Sequence, residues 1–160
     1  MSFSIRFADV RDVPVILRFI RELAEYENLL SEVVADESTL RQSLFEEQRG
    51  RPEVLIAEEE KKPIGFVLFF HNFSTFIGRK GIYVEDLYVT PECRGKGYGE
   101  KILAEVCRIA KERNCGRVEW WVLDWNERAI NFYKRIGAVP MSEWTVFRLS
   151  ESGLRRVGSQ

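Results

Sequence analysis

The 160-residue sequence predicts a single α/β domain over residues 1–160, with a mixed central sheet flanked by helices. Segments with apolar residues at every second position alternate with segments that repeat them at i, i+3, i+4 and i+7, the periods of strands and helices. No repeat, low-complexity tract or linker interrupts this order. A chain of this length can bury a sizeable core without disulfides or a structural metal.

The amino-terminal half is predicted to begin with a strand over residues 3–8, where apolar and polar residues alternate. The apolar positions of residues 13–24 share one helical face, and a second short helix is predicted to begin near Ser38. Residues 54–59 and 64–73 flank a turn-like tetrapeptide and predict a β-hairpin.

The carboxy-terminal half is predicted to contain a strand over residues 81–89, a long amphipathic helix over 98–113 and a strand over 117–123. A short helix over 126–136 and a final strand over 145–149 complete the prediction.

Several classes of function are disfavoured by composition. Cys93, Cys107 and Cys115 have no C-x-x-C spacing, so neither a disulfide framework nor a zinc site is expected. His71, the only histidine, lies in an apolar run without a metal-ligand companion and is interpreted as a partly buried structural side chain. Histidine-dependent triads and two-histidine sites are therefore not expected, and no metal is predicted. The longest apolar stretch, residues 64–70, is too short to span a membrane, and the amino terminus lacks a signal-peptide pattern. We therefore expect a cytoplasmic protein with no membrane partner.

A glycine-rich loop, Arg-Gly-Lys-Gly-Tyr-Gly over residues 94–99, lies between a predicted strand and the long helix. Glycines let the backbone turn closely around a ligand, and the free N–H groups of a helix's first turn attract anions, so a phosphate is the expected ligand. No Gly-Lys-Ser/Thr follows, and Glu100 replaces the third glycine of a dinucleotide fingerprint. A glycine turn that only caps the helix remains an alternative at this point.

Charge is unevenly distributed along the chain. The totals, 24 Lys+Arg against 25 Asp+Glu, give a net charge of -1. Residues 22–60 nevertheless hold twelve acids and three bases, whereas residues 94–117 hold seven bases and three acids. The basic segment coincides with the glycine loop and the pI is about 6.0, which disfavours a nucleic-acid partner. Most acids of residues 32–60 are expected to form a solvated surface.

The loop has the pattern [Q/R]-x-x-G-x-[G/A], with Arg94, Gly97 and Gly99 at the defining positions, and resembles the GNAT acyltransferase superfamily. YVEDLYVTPECRGKGYGEKIL, LDWNERAINFYKRIGA and RELAEYENL resemble its spermidine/spermine (diamine) N-acetyltransferase branch. This resemblance implies one GNAT-like domain with a mixed, mostly antiparallel central sheet.

The resemblance also implies that acetyl-coenzyme A (acetyl-CoA) is the donor and that no metal is needed. Main-chain groups of one strand would hold the pantetheine and acetyl carbonyl, the loop would surround the diphosphate, and the 126–136 helix would add further contacts. The implied coenzyme residues are Leu87, Tyr88, Val89, Arg94, Gly95, Lys96, Gly97, Tyr98, Gly99, Glu100, Asn126 and Ala129.

The chemistry needs help with protons, because an amine of pKa about 10.4 is protonated at pH 7 and its free base costs roughly 4–5 kcal/mol. By resemblance, Glu85 accepts the amine proton through water, Asp86 binds the cationic substrate, and Tyr133 is the general acid for the departing thiolate. Because neighbouring strand residues point to opposite faces, only one of the two acids is expected to face the thioester. A charged pair at a strand edge is the structural alternative.

The acceptor is predicted to be a primary amine of spermidine, spermine, putrescine or thialysine. Tyr26, Glu27 and Asp124 are further implied substrate residues. Other acceptors, namely an aminoglycoside, a protein lysine or an N-terminus, stay open, as does a non-catalytic acyl-CoA-binding regulatory module. The resemblance further implies a homodimer, in which the segment from Trp144 to Leu149 is a candidate for exchange between subunits.

Overall fold

The computed structural model describes residues 2–159. These residues form two compact units, one ending at Trp121 and one beginning at Val122. The single-domain assignment over residues 1–160 stays a prediction.

Within the described residues of the first unit, five strands form one sheet in the order β1-β2-β3-β4-β5. The pairs β1–β2, β2–β3 and β3–β4 are antiparallel, and β4–β5 is parallel. The predicted mixed, mostly antiparallel sheet is therefore confirmed. The strands are β1 Phe3–Phe7, β2 Glu53–Glu59, β3 Lys62–Ser74, β4 Arg79–Val89 and β5 Val118–Trp120.

Five α-helices lie within residues 2–159: α1 Val13–Tyr26, α2 Glu37–Arg41, α3 Tyr98–Glu112, α4 Glu127–Arg135 and α5 Glu151–Gly158. The first three belong to the first unit and the last two to the second. In this part of the chain, no helix combines the length and apolar character needed to cross a bilayer.

The sheet of the first unit carries a hydrophobic cluster on each face. On one face, residues of β3 and β4 such as Val67 and Val84 pack with Ile102 and Val106 of α3. On the other face, Phe66 and Tyr88 pack with Phe19 of α1, and the Phe19 and Phe66 rings stack at 5.7 Å. We call these the α3 face and the α1 face.

A β-bulge interrupts β4 at Glu85. Opposite β3, Leu68 pairs with Asp86 and Phe69 pairs with Val84, so Glu85 is an extra residue in β4. Val84 and Leu87 consequently both contact the α3-face core although they are three residues apart. Asp86, two residues before the α1-face residue Tyr88, is turned toward the α1 face.

Strand β5 is shorter than predicted, because its ladder with β4 covers only Ile82–Val84 opposite Val118–Trp120. The bulge follows immediately. Within the described chain, residues 85–89 therefore have β3 on one edge and no paired strand on the other. We call this the open edge of β4.

The predicted final strand over residues 145–149 is wrong. These residues have no regular secondary structure, and Phe147 is 93% exposed. A composition that favours strands is not sufficient, because the backbone hydrogen bonds of a strand need a neighbouring strand. Helix α5, which follows Ser150, was not predicted although Ser150-Glu151 is a typical helix start.

Candidate active site

The open edge of β4 leaves main-chain groups available while its side chains are engaged elsewhere. Leu87 packs against the α3-face core. Tyr88 is buried on the α1 face, where its hydroxyl donates to Glu22 Oε2 at 2.7 Å. Successive residues of a strand direct their backbone groups to opposite edges. The Thr90 N–H donates to the Ile64 carbonyl at 2.8 Å, so Tyr88 is oriented toward β3, whereas Leu87 and Val89 face the open edge and can offer backbone hydrogen bonds to an extended ligand.

The glycine loop continues from this strand to α3. Gly95 and Gly97 both adopt φ +78°, a left-handed conformation that favours glycine. Gly97 is the N-cap of α3, and no side chain caps the helix there. A Cβ at Gly95 or Gly97 would meet no heavy atom within 4 Å, so open space borders the loop. Free amides, open space and the positive end of α3 fit a diphosphate.

The loop's charged side chains have different partners in the first unit. Lys96 Nζ lies 3.1 Å from Glu59 Oε1. Arg94 Nε donates to the Val89 carbonyl at 2.9 Å, and its guanidinium lies 5.0 Å from the Tyr26 ring centroid and 5.4 Å from that of Tyr88. The Arg94 side chain therefore joins the loop to the end of α1. Glu100 is exposed in the first turn of α3.

Three acids meet at the start of the open edge. Burial, together with the negative charges of Glu85 and Glu27, raises the pKa of Asp86 to about 7. Burial also raises the pKa of Glu27, which is the C-cap residue of α1. Glu85 is exposed on the bulge. We call Glu27, Glu85 and Asp86 the acid corner, and its uncompensated negative charge favours a cation.

An aromatic group that the sequence analysis missed lies along the same strand. Phe70 and Tyr83 are cross-strand partners with ring centroids 5.1 Å apart, and Trp121 meets Tyr83 edge-on at 5.7 Å. Burial and the charges of Glu85 and Asp86 raise the pKa of Tyr83 well above its ordinary value. Aromatic rings beside carboxylates are typical surroundings for an organic ammonium group.

The remaining predicted residues belong to the second unit. Asn126 is the N-cap of α4, and its side-chain oxygen accepts from the Ala129 N–H at 3.3 Å. Tyr133 is partly buried on α4, with its ring 5.4 Å from that of Phe132. Asp124 is exposed before the helix. The roles of these residues with the loop and the acid corner stay predictions.

Across residues 2–159, no group of three or more His, Cys, Asp or Glu side chains is arranged to hold a metal ion. The acid corner and the neighbouring aromatic rings together suit an organic cation.

A protein-family model described as "Acetyltransferase (GNAT) family" matches residues 19–138. The chain belongs to the GNAT acetyltransferase family. It is 39% identical to thialysine N-epsilon-acetyltransferase of Bos taurus, with the full length of both chains covered. It is also 35% identical to human spermidine/spermine N(1)-acetyltransferase-like protein 1, over 95% of this chain and 23% of that longer protein.

This GNAT acetyltransferase also resembles solved structures along its whole length. The integron cassette protein VCH_CASS6 of V. cholerae matches with a TM-score of 0.82 and 30% identity, covering 100% of this chain and 99% of that one. The predicted fold class and the resemblance to the spermidine/spermine branch are confirmed. The protein is an N-acetyltransferase that acts on an amine, and acetyl-CoA is the donor of its family.

Proposed function

We propose that this enzyme transfers the acetyl group of acetyl-CoA to a primary amine of a small cation, either thialysine or a di- or polyamine such as spermidine, spermine or putrescine. The acid corner carries this proposal. Burial and the charges of Glu85 and Glu27 raise the pKa of Asp86, and a bound ammonium group would stabilise the ionised carboxylates. The names of the bovine and human relatives support both acceptor classes.

Acetyl-CoA, when bound, supplies the acetyl group as a thioester. The amides of Gly95, Gly97 and Gly99 would hold its diphosphate at the positive end of α3. The loop residues Lys96, Tyr98 and Glu100 would border it, and the backbone of Arg94 would contribute because its side chain is held by Val89 and Tyr26. The backbone N–H and C=O of Leu87 and the N–H of Val89 would hold the pantetheine, with Tyr88 between them and Asn126 and Ala129 as further contacts.

Two side chains are proposed to transfer protons and a third to bind the substrate. Glu85 is exposed on the bulge at the open edge, so a water molecule can connect it to the amine whose proton it accepts. Asp86, on the α1 face with Glu27, would hold the cationic substrate. The Tyr133 hydroxyl would donate the proton that the departing thiolate takes up.

Tyr26, Glu27 and Asp124 are proposed to complete the acceptor site. The Arg94 guanidinium lies 5.0 Å from the Tyr26 ring centroid, which supports a role for this ring beside cations. The Phe70–Tyr83–Trp121 group would pack against the methylene or thioether portion of the substrate.

The homodimer is also a proposal. Supporting it, Trp144 is 72% and Phe147 93% exposed in the irregular segment before α5, an unusual exposure for large apolar side chains. Sedimentation equilibrium of the wild-type protein and of Phe147→Ser tests this, with a dimer expected for the former and a shift to monomer for the latter. A monomeric wild type would reject the proposal. The cytoplasmic location stays a prediction from the sequence.

A thiol-release assay tests the proposed acceptor. Purified enzyme and acetyl-CoA are mixed with thialysine, spermidine, spermine, putrescine, lysine or an aminoglycoside, and acetylated products are identified by mass. We expect fastest release with thialysine or a polyamine, and a large loss in Asp86→Asn but not in Glu92→Gln, an exposed acid of the same unit. Preference for the aminoglycoside would reject the acceptor class, and coenzyme binding without turnover would favour a regulatory module.

A further inference from the structure

Glu59, the last residue of β2, contacts the residue before the glycine loop and two residues within it. The Tyr98 hydroxyl donates to Glu59 Oε1 at 2.5 Å. Lys96 Nζ lies 3.1 Å from Oε1 and 3.3 Å from Oε2. The Cys93 thiol donates to Oε2 at 3.7 Å. One carboxylate thus collects three donors that surround Gly95 and Gly97 in sequence.

The Tyr98 side chain is fixed on its other sides as well. Its ring stacks on Phe3 of β1, with centroids 4.4 Å apart and an interplanar angle of 6°. Lys101 Nζ lies 5.6 Å from the Tyr98 centroid and 5.1 Å from that of Phe3. Tyr98 is buried, and α3 begins at this residue, so the Glu59 contact ties the first residue of the helix to the sheet.

Such a tie matters because of what the loop contains. Gly95 and Gly97 give the backbone the left-handed conformation that the loop requires, but glycine also has more conformational freedom to lose than any other residue. A ligand that needs the loop amides in one arrangement must otherwise supply the free energy of ordering them. Contacts that order the loop beforehand increase affinity without touching the ligand.

We infer that Glu59 is a positioning residue for the coenzyme's diphosphate: by holding Cys93, Lys96 and Tyr98 together, it orders the loop amides before the coenzyme binds. This inference rests on the proposal that the loop holds the diphosphate. Glu59 itself is a poor neighbour for an anion, since its charge repels a diphosphate and neutralises the loop's own Lys96. The contacts through which Glu59 orders the loop explain why an acid is found there.

The two effects of Glu59 have opposite signs, which makes the inference testable. If Glu59 acted through charge alone, Glu59→Gln would free Lys96, remove repulsion and strengthen coenzyme binding. If Glu59 positions the loop, the same change weakens binding. We expect the dissociation constant of coenzyme A, measured by calorimetry without an acceptor, to rise about tenfold, as expected for loss of one charge-assisted hydrogen bond.

Two further variants separate positioning from charge. Tyr98→Phe keeps the ring that stacks on Phe3 and removes only the hydroxyl that Glu59 accepts, so it should weaken coenzyme A binding in the same direction. Glu92→Gln removes an exposed acid near the loop, in the turn that precedes it, and serves as the matched charge control, for which no weakening is expected. Thermal unfolding of each variant establishes that it is folded.

A donor without the diphosphate gives the decisive comparison. Acetyl-pantetheine can occupy the open edge of β4 but has no diphosphate for the loop to bind, so Glu59→Gln should leave kcat/KM for this donor unchanged. With acetyl-CoA, the same variant should have a higher KM and a kcat within about twofold of wild type. Equal losses with both donors, or unchanged or tighter coenzyme A binding, would overturn the inference. Failure of the proposed acceptors would not affect the calorimetric comparison.

Discussion

The raised pKa of Asp86 predicts that the free energy of unfolding decreases as the pH rises from acidic to mildly alkaline values. Replacing this residue in Asp86→Asn removes the ionisable group and keeps nearly the same shape. The folded state raises the pKa of the carboxyl from 3.8 to about 7, because burial and the charges of Glu85 and Glu27 disfavour its ionised form. Between these two pH values the folded wild type holds a proton that the unfolded chain has released.

The sign and size of the effect follow from that difference. A group whose pKa is raised in the folded state favours folding at low pH, and this contribution is lost as pH rises from the unfolded pKa through the folded one. With pKa values of 3.8 and about 7, the calculated loss between pH 5 and pH 8 is about 2.5 kcal/mol. Asp86→Asn has no such group, so its stability relative to wild type should rise by about that amount over the same interval.

Urea unfolding at pH 5 and pH 8, at one protein concentration, measures this change. Glu92→Gln, which removes an acid at an exposed site, controls for the change in net charge. Added thialysine or spermidine should reduce the pH dependence of the wild type, since a bound cation favours the ionised carboxyl. If the difference between Asp86→Asn and wild type is the same at both pH values, Asp86 is not desolvated as the structure indicates, and the acid corner loses its main support.

Three other changes have specific expected outcomes. Tyr133→Phe should lower turnover by about 10²–10⁴-fold with coenzyme A affinity unchanged, and steady-state kinetics with wild-type turnover would remove Tyr133 from the mechanism. Gly97→Ala should cost roughly 1–2 kcal/mol of stability, because φ is +78°, and should weaken coenzyme A binding in calorimetry; wild-type affinity would contradict the role of the loop. Arg113→Gln breaks the two-bond pair with Glu53 (2.6 and 2.8 Å) and should lower the free energy of unfolding by about 1–2 kcal/mol at pH 7. Because Arg113 lowers the pKa of Glu53, that difference should shrink as pH falls through the lowered pKa, and a pH-independent difference would contradict the pairing.

Local signals were sufficient to predict α3 and the loop before it. The helical spacing of residues 98–113 and the glycines of residues 94–99 act over a few positions. The structure has the helix and the glycine turn there, and it adds that Gly95 and Gly97 are left-handed. The final strand failed for the opposite reason. Residues 145–149 (Thr-Val-Phe-Arg-Leu) are rich in residues that favour strands, but a strand also needs a partner, which no local pattern supplies.

The contacts of Glu59 were also beyond local reasoning. Its partners Lys96 and Tyr98 lie 37 and 39 positions away in sequence, and only the pairing of β2 within the sheet brings them together. Most acids of residues 32–60 are exposed, as the sequence analysis expected, but Glu53, Glu58 and Glu59 are partly buried and held by ion pairs that charge counts do not predict. Charge counts report composition, whereas the ion pairs depend on register.

The bulge at Glu85 connects the chemistry of the site to the geometry of the sheet. In a regular strand, Val84 and Asp86 would lie on one face and Leu87 on the other. Val84 and Leu87 could then not both pack against the α3-face core. The extra residue lets Val84 and Leu87 both reach the α3-face core while Asp86 turns to the α1 face, beside the end of α1. The β4–β5 ladder also ends at Val84, directly before the bulge, so the carboxylates and the open edge begin at the same point. Two adjacent acids can therefore act at one edge, with Glu85 exposed in the bulge and Asp86 partly buried behind it. Strict strand alternation does not describe this arrangement, and the expectation that only one of the two acids faces the thioester stays a prediction.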